Sequence, residues 1–358
     1  MKNNFTLNSI RRWNFAFRVF GRDLTTNDYK KMVRYLFYKH ILNKQLPISV
    51  VFAITYRCQC HCVHCSVGAY ANFKKELNTE EVKNVLNNIS KLGVFKVTFF
   101  GGEPLLREDI LELIEFGRNA KLRISIDTNG LALTKNMVRQ LKKLKISNVN
   151  ISLDSANSVI HDRVRNMPGC FEAAVSGIKY CTEEKVPCLV STYASKRAVN
   201  SGDLKELIKF SRMLGAWGVK ILFPILSGNW INRTEEKLSV EEEEVVRNLL
   251  DPSFVYLEDA FSMARNASKR CSALDKNFFY ISPMGDVQLC PAIPIVFGNI
   301  RNVELPTIVN KMWNHYLAKM ECEGCLMNDV LFRSKYSFIW KEKGRIPIDI
   351  EEIEAIAY

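Results

Sequence analysis

Ile48-Ser49-Val50-Val51-Phe52-Ala53-Ile54-Thr55, followed at once by Tyr56-Arg57-Cys58-Gln59-Cys60-His61-Cys62-Val63-His64-Cys65, is the stretch on which the fold turns. Its first eight residues form a nearly continuous apolar and β-branched run, the pattern of a parallel strand covered on both faces. Five similar runs follow, at Phe95–Phe100, Leu122–Asp127, Asn148–Asp154, Cys188–Tyr193 and Gly218–Phe223. Helix signals separate them. The segment Asn78–Leu92 opens on an Asn-Thr-Glu-Glu cap, sets Val82, Val85, Leu86, Ile89 and Leu92 on one face, and is closed by Gly93. Glu108–Phe116, Lys135–Leu144, Phe171–Cys181 and Leu204–Leu214 repeat the theme. Six strand–helix units predict a right-handed parallel α/β array. Being fewer than eight, they predict a partial (β/α)6 TIM-like barrel over residues 48–230.

After residue 230 the rhythm breaks. Asn229–Lys237 reads as a polar linker and Ser239–Leu250 as a helix opened by Ser239 and Glu242, so residues 231–270 form a linker helix region. From Cys271 short strands (Phe278–Ser282, Val287–Cys290) and one helix, Thr307–Met320, predict a small α+β domain over 271–330. Residues 331–358 are read as a C-terminal tail, and 1–47 as a basic helical N-terminal segment.

The chain has 358 residues, 47% apolar and 25% charged, the profile of a soluble globular protein with a real core. The longest apolar run, Ile48 to Tyr56, is too short to span a bilayer, and no secretory signal opens the sequence, so a cytoplasmic location is expected. Eleven cysteines are many for that compartment, where disulfides are disfavoured; metal or redox chemistry is the better use of them. Six lie in two tight groups, Cys58-Cys60-Cys62-Cys65 and Cys322-Cys325. Of the net charge of +12, most sits in residues 1–47, which carry ten Lys and Arg against two Asp. The rest is nearly balanced, so no nucleic-acid-binding face is expected.

Cys58, Cys62 and Cys65 are spaced C-x3-C-x2-C directly after the first strand. A loop this tight can wrap three thiolates around a [4Fe–4S] cubane and leave the fourth iron open. A zinc site that adds Cys60 or His61 is the alternative; Cys60 is expected to be an uninvolved loop thiol. At these residues the sequence resembles the radical SAM superfamily, whose signature is this spacing with an aromatic residue, here His64, before the third cysteine. The resemblance implies that S-adenosylmethionine (SAM) binds the open iron and is reductively cleaved to methionine and a 5′-deoxyadenosyl radical. Gly101-Gly102-Glu103-Pro104, ending the second strand, is similar to the family's element for the SAM amino group, with Glu103 as acceptor. Ile151-Ser152-Leu153-Asp154-Ser155 with His161-Asp162-Arg163-Val164-Arg165 looks like the stretch from which a Ser and an Arg approach the SAM ribose or carboxylate; carried over, these are Ser152 and Arg165. His161 is left as loop.

Cys271, thirteen residues, Gly285, four residues, Cys290, and then Cys322-x2-Cys325 resemble the auxiliary-cluster domains called SPASM or, in shorter form, twitch. No cysteine follows Cys325, so the twitch form is implied, with one auxiliary [4Fe–4S] cluster closed by Cys271, Cys290, Cys322 and Cys325. A structural zinc site is the alternative. Pro291 stands where anaerobic sulfatase maturases carry an Asp, which counts against that activity. One closed auxiliary cluster suggests electron transfer, hence an oxidation, dehydrogenation or cross-linking of a small-molecule, peptide or lipid substrate, with a reductant such as flavodoxin or ferredoxin.

Two stripes mark the N-terminal segment. Ile10, Trp13, Phe17 and Phe20 form one; Tyr29, Met32, Val33, Leu36, Phe37 and His40 form the other, with Lys30, Lys31 and Arg34 opposite. Two helices packed on the barrel are expected. Contact with an anionic membrane through residues 1–45 is the second reading, and a lipid-modifying enzyme at the membrane surface goes with it.

Overall fold

The computed structural model describes residues 24–68, 75–257, 273–322, 324–342 and 346–356, together with 11, 14, 15, 17–19, 21 and 271. The reading of Ile10, Trp13 and Phe20 as part of an apolar stripe, and of the linker from 258 to 270, lies outside the described residues. The strands are β1 (Ser49–Thr55), β2 (Lys96–Gly101), β3 (Arg123–Thr128), β4 (Asn148–Ser152), β5 (Cys188–Tyr193), β6 (Gly218–Leu222), β7 (Val255–Leu257), β8 (Phe278–Ile281) and β9 (Val287–Gln288). They make one sheet of order β7-β6-β5-β4-β3-β2-β1-β8-β9, parallel throughout except for the last pair. The α/β fold with six consecutive parallel strands is as expected.

Three strands extend it, β9 by antiparallel pairing with β8. β7 adds to β6, three residues that are too short to leave a pattern in the sequence. β8, expected inside the small C-terminal domain, instead pairs in parallel with β1, Val50 beside Phe279 and Phe52 beside Ile281. That non-local pairing is invisible to local patterning, and it welds the cysteine-bearing C-terminal region to the barrel sheet.

The strands are sided. Val50, Phe52, Val97, Phe99, Ile124 and Ile126 are fully buried in the layer beneath the helices. The alternate positions form a polar interior. Thr98 and Ser125 share a hydrogen bond of 3.0 Å. Lys96 Nζ donates to Asn148 (3.3 Å), Asn148 to Asn150 (2.8 Å), and Asn150 to Asp127 (2.5 Å). Lys220 Nζ reaches Asp127 from the opposite wall at 3.3 Å. Burial draws the Lys96 ammonium down to about 8.

The N-terminal segment closes the end of the barrel where the strands begin. Phe15 and Val19 are buried against Leu189 and Tyr256, and a Cβ on Gly218 would lie 2.7 Å from the Phe15 ring. The helix Thr26–His40 is capped by Thr25 and Asp28. It does not pack as its apolar stripe predicts: Tyr29, Val33, Leu36 and Phe37 are exposed, and so is Phe17 from the first stripe. The polar face is the docked one. Asp28 faces Arg123 at 3.8 Å, Lys31 Nζ donates to the carbonyls of Val94 and Lys121, and Tyr35 donates to Asn277. Turn carbonyls at the strand starts need donors, which apolar side chains cannot supply.

Candidate active site

Every residue singled out in the cysteine loop and in the motifs after β2 and β4 falls at the end of the barrel where the strands finish. The loop is held by its backbone. Gly102 N–H donates to Thr55 O (2.8 Å) and Glu103 N–H to Arg57 O (2.8 Å). A Cβ on Gly101, whose φ is +130°, would lie 2.1 Å from Thr55 O, and one on Gly102 would lie 2.3 Å from Arg57 O. The two glycines therefore let the top of β2 press against the root of the cysteine loop. Behind the loop, His61 and Val63 donate to the carbonyls of Arg165 and Val164 at the end of the helix Ser158–Arg165. From the third side Asn229 N–H donates to Cys65 O (3.0 Å) and its side chain to Cys62 O (2.8 Å). Asn229 sat in what the sequence suggested was linker; only a backbone bond to a distant loop reveals it.

The sulfurs receive donors. Cys60 N–H approaches Cys58 Sγ at 3.4 Å and Asn129 Nδ2 approaches it at 3.7 Å. Arg165 Nη1 lies 3.6 Å from Cys62 Sγ. Hydrogen bonding from Cys60 lowers both the Cys58 and the Cys62 thiol against the cost of burial, with the Arg165 charge assisting at Cys62. Burial, helped by the charges of Cys62 and Cys58, lifts Cys65 to about 11. Cys60 is buried with its own sulfur 3.9 Å from that of Cys170. None of the eleven cysteines forms a disulfide. Among the described residues no three Cys, His, Asp or Glu side chains converge on a single ion.

Arg165 is committed twice, since its Nε also donates to the buried Asp154 at 2.6 Å. Burial opposes ionisation of Asp154, but the Arg165 charge holds it down to about 2. The guanidinium thus bridges Asp154 and the Cys62 sulfur. His161 is not loop: it is fully buried in the helix Ser158–Arg165, and its Nδ1 accepts from Asp154 N–H at 3.1 Å. Ser152 ends β4, half-buried.

Glu103 is completely buried. Its carboxylate accepts from Thr128 Oγ1 (2.8 Å), Asn129 N–H (2.7 Å) and Leu105 N–H (3.1 Å). Burial nonetheless lifts it from 4.5 to about 7. A carboxyl this poised gains from a cation. His64 packs with Tyr193 (ring centroids 4.6 Å apart) and Trp230 (5.7 Å), and burial lowers its pKa to about 4, so it is neutral. Trp230 Nε1 beside it is buried with no hydrogen-bond partner among the described residues.

Cys271, Cys290, Cys322 and Cys325 lie within electrostatic reach of one another elsewhere. Cys271 and Cys322 are hydrogen-bonded thiols, and Cys290, raised by burial, also feels the charges of Cys271 and Cys325. Cys271 and Cys290 are buried; Cys322 and Cys325 are partly exposed.

The profile of the radical SAM superfamily matches residues 52–211. The AdoMet-dependent heme synthase of Methanosarcina barkeri is 27% identical over 281 residues, covering 71% of this chain and 80% of its own. The PqqA peptide cyclase of Bradyrhizobium diazoefficiens is 26% identical over 309 residues, 80% of each chain. In structure the chain is similar to Streptococcus suis SuiB, with a TM-score of 0.63 at 17% identity over 84% of this chain and 77% of that one.

Proposed function

This chain belongs to the radical SAM superfamily, and from that premise we propose that it oxidises or cross-links a polar substrate held at the barrel mouth, with an auxiliary cluster taking part. Bound together, the cluster and SAM supply a 5′-deoxyadenosyl radical that abstracts a hydrogen atom. The observation that carries the reading is the cysteine loop, held on three sides by backbone bonds with cationic and amide donors on its sulfurs.

In this reading Cys58, Cys62 and Cys65 hold the SAM-binding [4Fe–4S] cluster. Glu103 would accept an N–H from the SAM amino group, which favours the carboxylate over the carboxyl that burial retains. Gly101 and Gly102 set the distance between that carboxylate and the loop. His64, with Tyr193 and Trp230, walls the adenosine, and Ser152 lies at the rim. Arg165 fixes Cys62 and keeps positive charge on its sulfur. Cys271, Cys290, Cys322 and Cys325 hold the auxiliary [4Fe–4S] cluster, which would take up the electron left when an oxidised product forms. A protein such as flavodoxin or ferredoxin would supply the reducing electron.

The lysine, asparagine and aspartate side chains inside the barrel support a polar substrate over a lipid one. A peptide substrate is the second reading, supported by the likeness to the PqqA peptide cyclase across four-fifths of both chains. Anaerobic reconstitution with SAM and a strong reductant, followed by measurement of 5′-deoxyadenosine with polar, peptide and lipid fractions of a cell extract, tests both. Stimulation by the polar or peptide fraction chooses between them. Stimulation by the lipid fraction alone, or zinc in place of iron with no cleavage, sinks the proposal.

A further inference from the structure

We propose that the face of the barrel where the strands begin, remote from the cysteine loop, docks on an anionic phospholipid surface. Two independent features carry this.

The first is the inside-out seating of the helix Thr26–His40. With Asp28, Lys31 and Tyr35 turned to the barrel, Tyr29, Val33, Leu36 and Phe37 are left 50, 65, 51 and 48% exposed, and Ile41 just beyond is 70% exposed. Lys30 and Arg34 are exposed on the same helix. The result is an apolar, partly aromatic stripe flanked by cations, lying along the molecular surface.

The second is a ring of lysines in a conformation that suits glycine. Lys121, Lys145, Lys185 and Lys276 lead into β3, β4, β5 and β8, all with positive φ, of 63°, 54°, 58° and 55°. The turns leading into β2 and β6 use Gly93 and Gly215. A side chain at positive φ is strained, and glycine is the usual residue just past a helix end. Attraction to the helix dipole does not explain the choice, because basic residues inside the last turn, such as Lys91, Lys142 and Lys143, already serve it without strain. Parallel topology gathers every one of these turns at the same end as the inverted helix. There Lys121, Lys145 and Lys185 are exposed, as is Met213, at 83%, at the end of the helix before β6.

Charge and apolar surface together select the occupant. Ammonium groups meet headgroup phosphates while the aromatic and aliphatic stripe enters the acyl boundary. A nucleic acid would answer the lysines but not the stripe. Docking by this face points the cysteine loop away from the bilayer, so the membrane is an anchor and not the source of substrate. Membrane contact and lipid chemistry, which the sequence joined in one reading, come apart.

The test is co-sedimentation of the full-length, cluster-loaded protein with vesicles of phosphatidylcholine, alone or mixed with phosphatidylglycerol. Retention on the mixed vesicles only, weakened by salt, is expected. The double variant Val33→Glu, Phe37→Glu should lose it. The triple variant Lys121→Gly, Lys145→Gly, Lys185→Gly should lose about fivefold in partition per lysine at low salt. Because glycine relieves the strain, that variant should also melt at a higher temperature and keep its visible cluster absorbance, so weaker binding is not unfolding. Equal retention on both vesicle types, no retention, or full retention of the triple variant overturns the proposal. So does displacement by duplex DNA, or a dimer in solution that the Val33→Glu, Phe37→Glu pair splits.

Discussion

At the scale of single residues, the ion pair of Arg165 and Asp154 joins the cysteine loop to the barrel core. Removing one member of a buried pair strands the other. Arg165→Gln should cost about 3–5 kcal/mol in denaturant unfolding, and the double variant with Asp154→Asn should recover part of that loss. With Asp154 held down to about 2 from an ordinary 3.8, the pair's contribution is present above pH 3.8 and fades as pH falls through 2. Glu103 has the opposite sign. Lifted from 4.5 to about 7, it favours the folded SAM-free protein fully below pH 4.5, and that contribution is lost as pH rises through 7. The melting temperature of SAM-free protein should therefore carry a declining component between those values. Glu103→Gln should remove it, and SAM affinity should rise with pH over the same window. A pH-independent SAM affinity would show that Glu103 does not receive the SAM amino group. The residues missed in the sequence, Asn129, Asp154 and Asn229, are ordinary polar residues whose roles exist only through partners far along the chain.

At the scale of elements, the glycines after β2 carry the strictest demand. A methyl group at Gly101 or Gly102 would overlap the carbonyl oxygens of Thr55 or Arg57, backbone atoms that cannot swing aside. Either Gly→Ala change should destabilise by about 3 kcal/mol and leave the protein poor in iron after reconstitution; full iron content in both would refute the clamp. Helix stripes between strands were legible because both sides of each such helix have fixed partners, sheet within and water without. Val82, Val85, Leu86 and Ile89 are buried as their spacing predicts. The same rule misplaces the helix Thr26–His40, which meets carbonyls and Arg123 where the others meet an apolar sheet.

At the scale of the whole molecule, the pairing of β8 with β1 ties the second cysteine group to the barrel. If the two groups hold separate clusters, Cys322→Ala with Cys325→Ala should lower iron from about eight to about four per chain. Reductive SAM cleavage without substrate should persist while product formation stops. Loss of both clusters together would mean the sites are one folding unit. The sequence by itself determined the parallel α/β order, the loop that carries Cys58, Cys62 and Cys65, and the grouping of the later cysteines, because strand period, helix caps and ligand spacing are local properties. Only the tertiary structure decided that β7 and β8 extend the sheet, that Arg165 braces a thiol, and which face of the N-terminal helix meets the barrel. Each of those depends on a partner tens or hundreds of residues away, and the choice among partners is made by satisfying buried charge and backbone groups, which no local pattern records.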